Sequence, residues 1–270
     1  MTDVRASFHG TIPEFYDKYL GPVWPDAFGA DLVRRLPGKP ADAVLEIAAG
    51  TGRVTRQLRE HLDPSIRLVA SDLSGGMVDY ARGKLGGDGI EWLEADAMAL
   101  PFDDGAFGAV VCAFGFMFVP DKPVAFAEAR RVLKDDGLLL FTVWDRIEEN
   151  RHAALARQVV DDLFPGDAEM QFTTPFDMHD VGQLRRWLTD AGFRDIRIET
   201  KRIAVGPISA RAMATGSVRG TPRSHLYEAR GVSLDEVIDR YAVALTGPEG
   251  GDAYSGSAQA IVVEARRSLP

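Results

Sequence analysis

The sequence predicts an α/β protein with a mostly parallel, seven-stranded sheet and helical insertions late in the chain. Three observations lead there. Short apolar runs alternate with helix-like segments at the spacing of βαβ units. The run Ala109–Phe114 (AVVCAF) is apolar on both faces, as a central parallel strand must be. A glycine turn follows the first run directly and opens a helix, VLEIAAGTGRVTRQL.

Taken in order, Ala43–Ala48 reads as the first strand and Arg53–His61 as the first helix of the repeat. Ile66–Ser71 is a second strand, Gly76–Lys84 a second helix, Ile90–Glu94 a third strand and Ala109–Phe114 a fourth. Pro123–Leu133 is helical, stopped by Asp135–Gly137, and Leu138–Trp144 is the fifth strand. Asn150–Leu163 reads as a helix and Phe164–Asp180 as irregular; Asp180–Ala191 is an amphipathic helix with Gly192 as its C-cap. Phe193–Val205 contains a sixth strand, Ser209–Leu245 two or three helices, Gly247–Gly256 a mobile loop and Gln259–Arg266 the last strand. This divides the chain into a helical lid segment (1–40), a ligand-binding core (41–145), and a remainder (146–270) with cap insertions near 146–180 and 206–250.

Composition narrows the function. The formal net charge is −9, which disfavours a polyanion as main partner. Cys112 is the single cysteine, so no internal disulfide forms and no cysteine cluster holds zinc; no metal is expected, and a reducing cytoplasm fits. The start lacks an apolar stretch after basic residues, so no signal peptide is expected, and no apolar run reaches the ~18–20 residues of a membrane span.

Three loops carry the chemistry. Gly50 and Gly52 let the chain turn with no side chain in the way, and the helix that follows presents free N–H groups to a ligand. Asp72 closes the second strand in VASDLSGGM, where a carboxylate faces the same crevice and accepts ribose hydroxyls. Asp72 or Ser74 also suits the N-cap of the helix beyond, and both roles are compatible. Asp96, just past the third strand, accepts a hydrogen bond from an adenine amino group while the Ala97 N–H donates to the ring; a loop aspartate bonding its own backbone is the plainer alternative. In this order the loops describe a nucleoside lying across three strand ends. A dinucleotide fingerprint is poorer, since its third glycine would fall on Thr55. Glu46 inside the first strand suits a cationic ligand, such as a sulfonium with an amino group, better than a pyrophosphate.

VLEIAAGTG, SDLSGGM, EADAMALPF and RRVLKDDGLLLFTVWD resemble successive motifs of the class I S-adenosylmethionine-dependent methyltransferases, in particular the ubiquinone/menaquinone-type (methyltransferase type 11) group. The resemblance covers about residues 40–145, and 180–205 less closely. It implies a Rossmann-like sheet with an antiparallel last strand, S-adenosyl-L-methionine as cofactor, and transfer of a methyl group to a small, rather apolar acceptor at O, N or C. By resemblance Glu46, Ala48, Gly50 and Gly52 surround the methionine moiety. Asp72 holds the ribose, with Leu73 and Met77 beside the adenine, and Asp96 and Ala97 read the adenine edge. Ala113 and Phe114 border the methyl group, and Tyr19, in FYDKYL, closes over the cofactor. The chain departs from the pattern at Ala48, where the family has its first glycine, and at Gly108, where an aspartate is common. Phe114, Phe116, Met117 and Phe118 stand where relatives carry polar residues.

A base is needed only if the acceptor arrives protonated. His152 and Tyr19 are the candidate catalytic residues, with His179 as a further one; Asp145 and Arg146 are polar anchors nearby. Trp24, Phe114, Phe116, Trp144, Phe164, Phe172 and Phe176 are candidate pocket aromatics, with Trp24, Phe116, Trp144 and Arg146 as the substrate pocket proper. Three rival readings stay open: a nucleotide-sugar or NAD-dependent oxidoreductase, a regulatory protein that binds an S-adenosyl ligand without turnover, and an RNA methyltransferase using Arg211, Arg219, Arg223, Arg230 and Arg240. A homodimer is compatible with the sequence.

Overall fold

A computed structural model describes residues 8, 10–37, 43–87, 89–171, 173–247 and 250–268. Its centre is one seven-stranded sheet in the order β3-β2-β1-β4-β5-β7-β6. The strands are β1 (Ala43–Ile47), β2 (Arg67–Asp72), β3 (Glu91–Glu94), β4 (Phe107–Ala113), β5 (Leu133–Trp144), β6 (Phe193–Ser209) and β7 (Ala253–Arg267). The first five run parallel, and β7 lies antiparallel between β5 and β6. Every residue of β1 is buried and β4 is buried up to its last residue, the pattern of strands covered on both faces.

Side chains alternate between two cores, as the two-residue strand period requires. Leu45, Val110, Cys112, Leu139 and Phe141 join one core with Phe126 of α5 (Lys122–Val132) and Leu184 of α7 (Val181–Asp190). Val44, Ala109, Val111 and Leu140 join the other with Leu32 of α2 (Pro25–Arg35) and Leu58 of α3 (Arg53–His61). The chain moves outward from β1 through α3 to β2 and through α4 (Gly75–Leu85) to β3, then returns to β4 on the other side of β1. This reversal leaves a crevice at the carboxyl ends of β1 and β4, where ligands of such sheets bind.

Two elements differ from the sequence reading. Asp135–Gly137 does not stop α5, which has already ended at Val132; the three residues lie inside β5 and bulge it, with Asp136 at φ 61°. The ladder accordingly jumps from Phe107↔Leu133 to Ala109↔Leu138. The glycine-rich stretch 247–256 is not a loop throughout. β7 begins at Ala253, because Ile208↔Tyr254 and Ser209↔Ala253 extend the ladder and the Tyr254 ring is buried. Residues 248 and 249 lie outside the described residues.

Helices inserted late form the cap. α6 (Arg151–Leu163) follows β5, and α8 (Ala210–Arg219), α9 (Arg223–Ala229) and α10 (Leu234–Thr246) lie between β6 and β7. α8 also meets the N-terminal segment, which comprises α1 (Ile12–Phe15), a π-helical turn at Tyr16–Leu20, and α2. The approach is close: a Cβ on Gly216 would stand 2.7 Å from Tyr19 Cβ and 2.9 Å from Leu20 Cδ2.

Charges pin that segment to the rim of the sheet. Arg53 opens α3 and donates from Nε to Asp17 (2.8 Å), from Nη2 to the Asp17 carbonyl (2.6 Å) and from Nη1 to Asp26 (2.8 Å). Lys84 reaches Asp17 from α4 at 2.7 Å. Burial would raise the Asp17 carboxyl, but hydrogen bonds from Lys84 and Arg53 overcome it and hold the group below its ordinary value. Arg53→Met is therefore expected to cost about 1–3 kcal/mol in denaturant unfolding, below the ~3–5 kcal/mol of a fully buried pair because Lys84 still faces Asp17. Amide exchange should speed up across residues 12–35 while β1 and β4 stay protected; an unchanged N-terminal segment would show that packing on α8 alone holds it.

Candidate active site

The turn after β1 is carved by left-handed backbone. Ala48, Gly50 and Gly52 have φ of 56°, 55° and 78°. Glycine adopts this region freely, whereas alanine bears a strain of roughly 1–2 kcal/mol. Phe114, at the end of β4, is left-handed as well (φ 58°). The two strained residues share the reversal point of the sheet, and Gly115 makes room for the Ala48 methyl: a Cβ there would stand 2.4 Å from Ala48 Cβ. Strain of this kind persists where surrounding structure enforces it, typically at functional sites.

Three acids stand at or near the carboxyl ends of the three strands: Glu46 within β1, Asp72 closing β2 and Asp96 just past β3. The half-buried Asp72 carboxylate accepts the Gly50 N–H at 2.8 Å and the Ser74 N–H at 2.9 Å, tying the first loop to the second. A carboxylate offers about four acceptor positions, so two remain. Ser74 caps α4 through the Met77 N–H, so the cap and the crevice acid are separate residues. Glu46 is 1% exposed, and its Oε2 has no hydrogen-bond partner. Burial first, and the Asp72 charge second, push its carboxyl up to about 8. Asp96 accepts the Met98 N–H at 2.9 Å in a local turn, which leaves its other oxygen available; Ala97 is buried beside it. Leu73 is half-buried and Met77 buried at the start of α4.

Beyond β4 and β5 lies a buried aromatic cluster. Trp144, the last residue of β5, is the hub. Its ring centroid lies 4.4 Å from Phe114, 5.7 Å from Trp24, 5.9 Å from Phe28, 6.0 Å from His152 and 6.2 Å from Phe176. His152 stacks on Trp24 at 4.7 Å. It is buried, its Nδ1 has no partner, and desolvation drives the imidazole down to about 4, so the ring is neutral at physiological pH. Its backbone is held from the cap, with the Tyr241 hydroxyl donating to the His152 carbonyl at 2.7 Å. A buried polar web anchors the start of α6. Gln259 of β7 donates to Asp145 (2.7 Å) and, through its backbone, to Asn150 Oδ1 (2.9 Å), while Asn150 Nδ2 donates to the Gln259 carbonyl (3.0 Å).

Comparison with known proteins agrees with this geometry. Residues 45–141 match the family model described as a methyltransferase domain. The chain is 41% identical over 122 residues to a demethylmenaquinone methyltransferase of Thermus thermophilus, covering 42% of this chain and 55% of that one. It is also 41% identical over 102 residues to a ubiquinone/menaquinone biosynthesis C-methyltransferase, UbiE, of Hahella chejuensis, covering 36% of this chain and 41% of that one. The chain thus spans about half the length of the curated relatives it matches. Among solved structures, phosphoethanolamine N-methyltransferase 2 of Haemonchus contortus in complex with S-adenosyl-L-methionine superposes with a TM-score of 0.59 at 16% identity, over 95% of this chain and 57% of that one. At that identity the likeness is one of fold.

The matched segment brings Glu46, Ala48, Gly50, Asp72 and Phe114 to the carboxyl ends of β1, β2 and β4, with Gly52 behind them against Leu85 and Trp92. Ala113 is half-buried at the end of β4. Other residues lie elsewhere. Phe116, read as pocket wall, is fully buried between Phe126 (4.9 Å) and Phe141 (5.3 Å) and is core, since β4 has ended and its 3₁₀ turn points the ring inward. Tyr19, read as closing over the cofactor, stacks on Phe15 (6.0 Å) with its root against Gly216 of α8. The N-terminal side chain coupled to the crevice is Tyr16. Burial pushes its phenol up to about 12; Arg53 pulls it down, and the charges of Asp72 and Asp17 raise it further. The π-helical turn decides which tyrosine faces inward, and no residue pattern announces it. Phe164 stacks on Tyr227, His179 Nδ1 bonds the Phe176 carbonyl, Arg146 is exposed, and Phe172 lies outside the described residues. Sequence reading missed Phe28, Asn150 and Gln259, which reach the site only through tertiary packing.

The neutral His152 carries a pH signature. Its pKa is lowered by folding, so between about 4 and about 6.5 the unfolded chain binds a proton that the folded chain does not. Its contribution is complete above about pH 6.5 and is lost as pH falls toward 4. His152→Phe should flatten this loss by about 1–2 kcal/mol between neutral pH and pH 5 in paired unfolding titrations; parallel curves for both proteins would contradict a buried neutral imidazole.

Proposed function

We propose that the protein is an S-adenosyl-L-methionine-dependent methyltransferase that transfers a methyl group to a small, largely apolar acceptor with a flat face. The Asp72 carboxylate carries this reading: it is bonded to the glycine turn and retains acceptor capacity toward the crevice. The unpartnered Glu46 oxygen, the left-handed turn and the available Asp96 oxygen fit the same ligand's ammonium, methionine portion and adenine. The family match and the named activities of the relatives support it.

When bound, the cofactor supplies an electrophilic methyl on a sulfonium. The protein's part is alignment. Asp72 holds the ribose hydroxyls, with Leu73 and Met77 beside the base and Asp96 and Ala97 at its edge. Ala113 and Phe114 border the transfer path. Orientation of this sort is worth about 7–11 kcal/mol of barrier. Trp24, Phe28, Trp144 and Phe176 exclude water and present apolar faces to the acceptor. His152, neutral and with a free Nδ1, accepts a hydrogen bond or proton from an acceptor that carries one. Trp24, Phe28, Trp144, His152 and Phe176 all lie outside residues 45–141, the segment matched by the family model.

The arginines of the cap do not favour RNA. Arg211, Arg219, Arg230 and Arg240 pair with Asp239, Asp235, Asp167 and Glu236, and Arg223 donates to the Met170 carbonyl. Their charge is balanced locally. No helix among the described residues is long and apolar enough to cross a membrane.

Asp72→Ala should weaken cofactor binding in calorimetry by about 1.5–3 kcal/mol, one charge-assisted contact, in a protein that still folds but unfolds at a lower temperature because the Gly50 and Ser74 N–H groups lose their acceptor. Unchanged affinity in the folded variant would remove the ribose assignment. Binding of neither S-adenosylmethionine nor S-adenosylhomocysteine to the parent protein would remove the function.

A further inference from the structure

Two carboxyl groups face one crevice, and only one is provided for. Asp72 receives two backbone N–H groups. Glu46 lies one strand away, with its Cα level with Ala70 in the β1–β2 register, and is almost completely shut off from water with an orphaned Oε2. The groups that act on it are Asp72 from β2 and the Thr55 hydroxyl from α3, and its own field reaches Cys112 on β4. From the N-terminal segment, Tyr16 senses Asp72 and Arg53. The Cys112 thiol and the Tyr16 phenol are both pushed up to about 12 by burial and stay neutral. Among the described residues, the cations at this rim are engaged elsewhere: Arg53 binds Asp17 and Asp26, and Lys84 binds Asp17. A second buried negative charge beside Asp72 would go unbalanced, and two carboxyls sharing a dry site do not both ionise.

We propose that Glu46 is a neutral carboxylic acid in the free protein and gives up its proton when a cationic ligand head group enters the crevice, so that cofactor binding is coupled to proton release. The step balances simply. The carboxyl O–H bond breaks, the proton goes to bulk water, and the new carboxylate charge is matched by the ligand's ammonium or sulfonium. The inference rests on the cofactor reading above and adds the charge state of the site to it. An empty crevice then avoids two adjacent buried charges, while a ligand without the cation gains nothing from Glu46.

Calorimetric titration with S-adenosylmethionine and with S-adenosylhomocysteine, near pH 6.5 in two buffers of different ionisation enthalpy, tests it. This pH keeps the ligand's own amino group, with a pKa of about 7.7–8.0, protonated. Close to one proton should leave per ligand bound, and affinity should strengthen by up to about tenfold per pH unit between about pH 5.5 and 7.5. Release with both ligands places Glu46 at the shared ammonium; release with S-adenosylmethionine alone places it at the sulfonium. In Glu46→Gln, which mimics the neutral acid, release and pH dependence should vanish and affinity should fall at least about tenfold. The free proteins provide a second measurement. A carboxyl raised by folding is a growing liability as pH climbs from about 4.5 to about 8, so parent stability should decline across that window relative to Glu46→Gln. Binding enthalpies independent of buffer, or equal proton release in Glu46→Gln, overturn the proposal while leaving the cofactor reading intact. If neither ligand binds the folded protein, both fall together.

Discussion

The Asp72 carboxylate is the keystone of the crevice. By accepting the Gly50 and Ser74 N–H groups it joins the turn after β1 to the turn after β2 and satisfies donors that the carved backbone would otherwise leave open. Ala48 and Phe114 are strained in left-handed conformations on the two strands where the sheet reverses direction. Only a rigid parallel core, with β1 and β4 buried on both faces, over-determines such a backbone. The concave rim thus follows from sheet topology plus one buried acid.

Charge is distributed unevenly around this rim. On the outer side, Asp17 and Asp26 of the N-terminal segment are matched by Arg53 and Lys84, which clamp the segment to α3 and α4. On the inner side, Glu46 and Asp72 have no basic side chain bonded to them among the described residues. The outer acids fasten the structure, and the inner ones are left to a ligand. A cationic ligand suits the inner pair for the same electrostatic reason that a pyrophosphate does not.

The aromatic cluster around Trp144 is assembled from distant parts of the chain. Trp24 and Phe28 come from the N-terminal segment, Phe114 and Trp144 from the ends of β4 and β5, and His152 and Phe176 from the insertion after β5. The web of Asp145, Asn150 and Gln259 fixes the start of α6 against β7, and Tyr241 of α10 grips the His152 backbone. Trp24, Phe28, Trp144, His152 and Phe176 lie outside the segment that matches the methyltransferase-domain model.

What the sequence determined by itself is the local and the periodic. β1, α3, β2, α4 and β4 fall within a residue or two of their expected bounds, because apolar runs, glycine turns and the Ser74 cap act over a few residues. Glu46, Asp72 and Asp96 were legible for the same reason, since each stands at or near the carboxyl end of its strand. Tertiary structure alone decided that Tyr16 is coupled to Asp72 while Tyr19 stacks on Phe15, that Phe116 packs on Phe126 and Phe141 while Phe28 packs on Phe114 and Trp144, and that Glu46 Oε2 stands without a partner. Those outcomes depend on a π-helical turn, on crossings between elements far apart in sequence, and on desolvation. All three arise from what surrounds a residue in space, which neighbours along the chain do not encode.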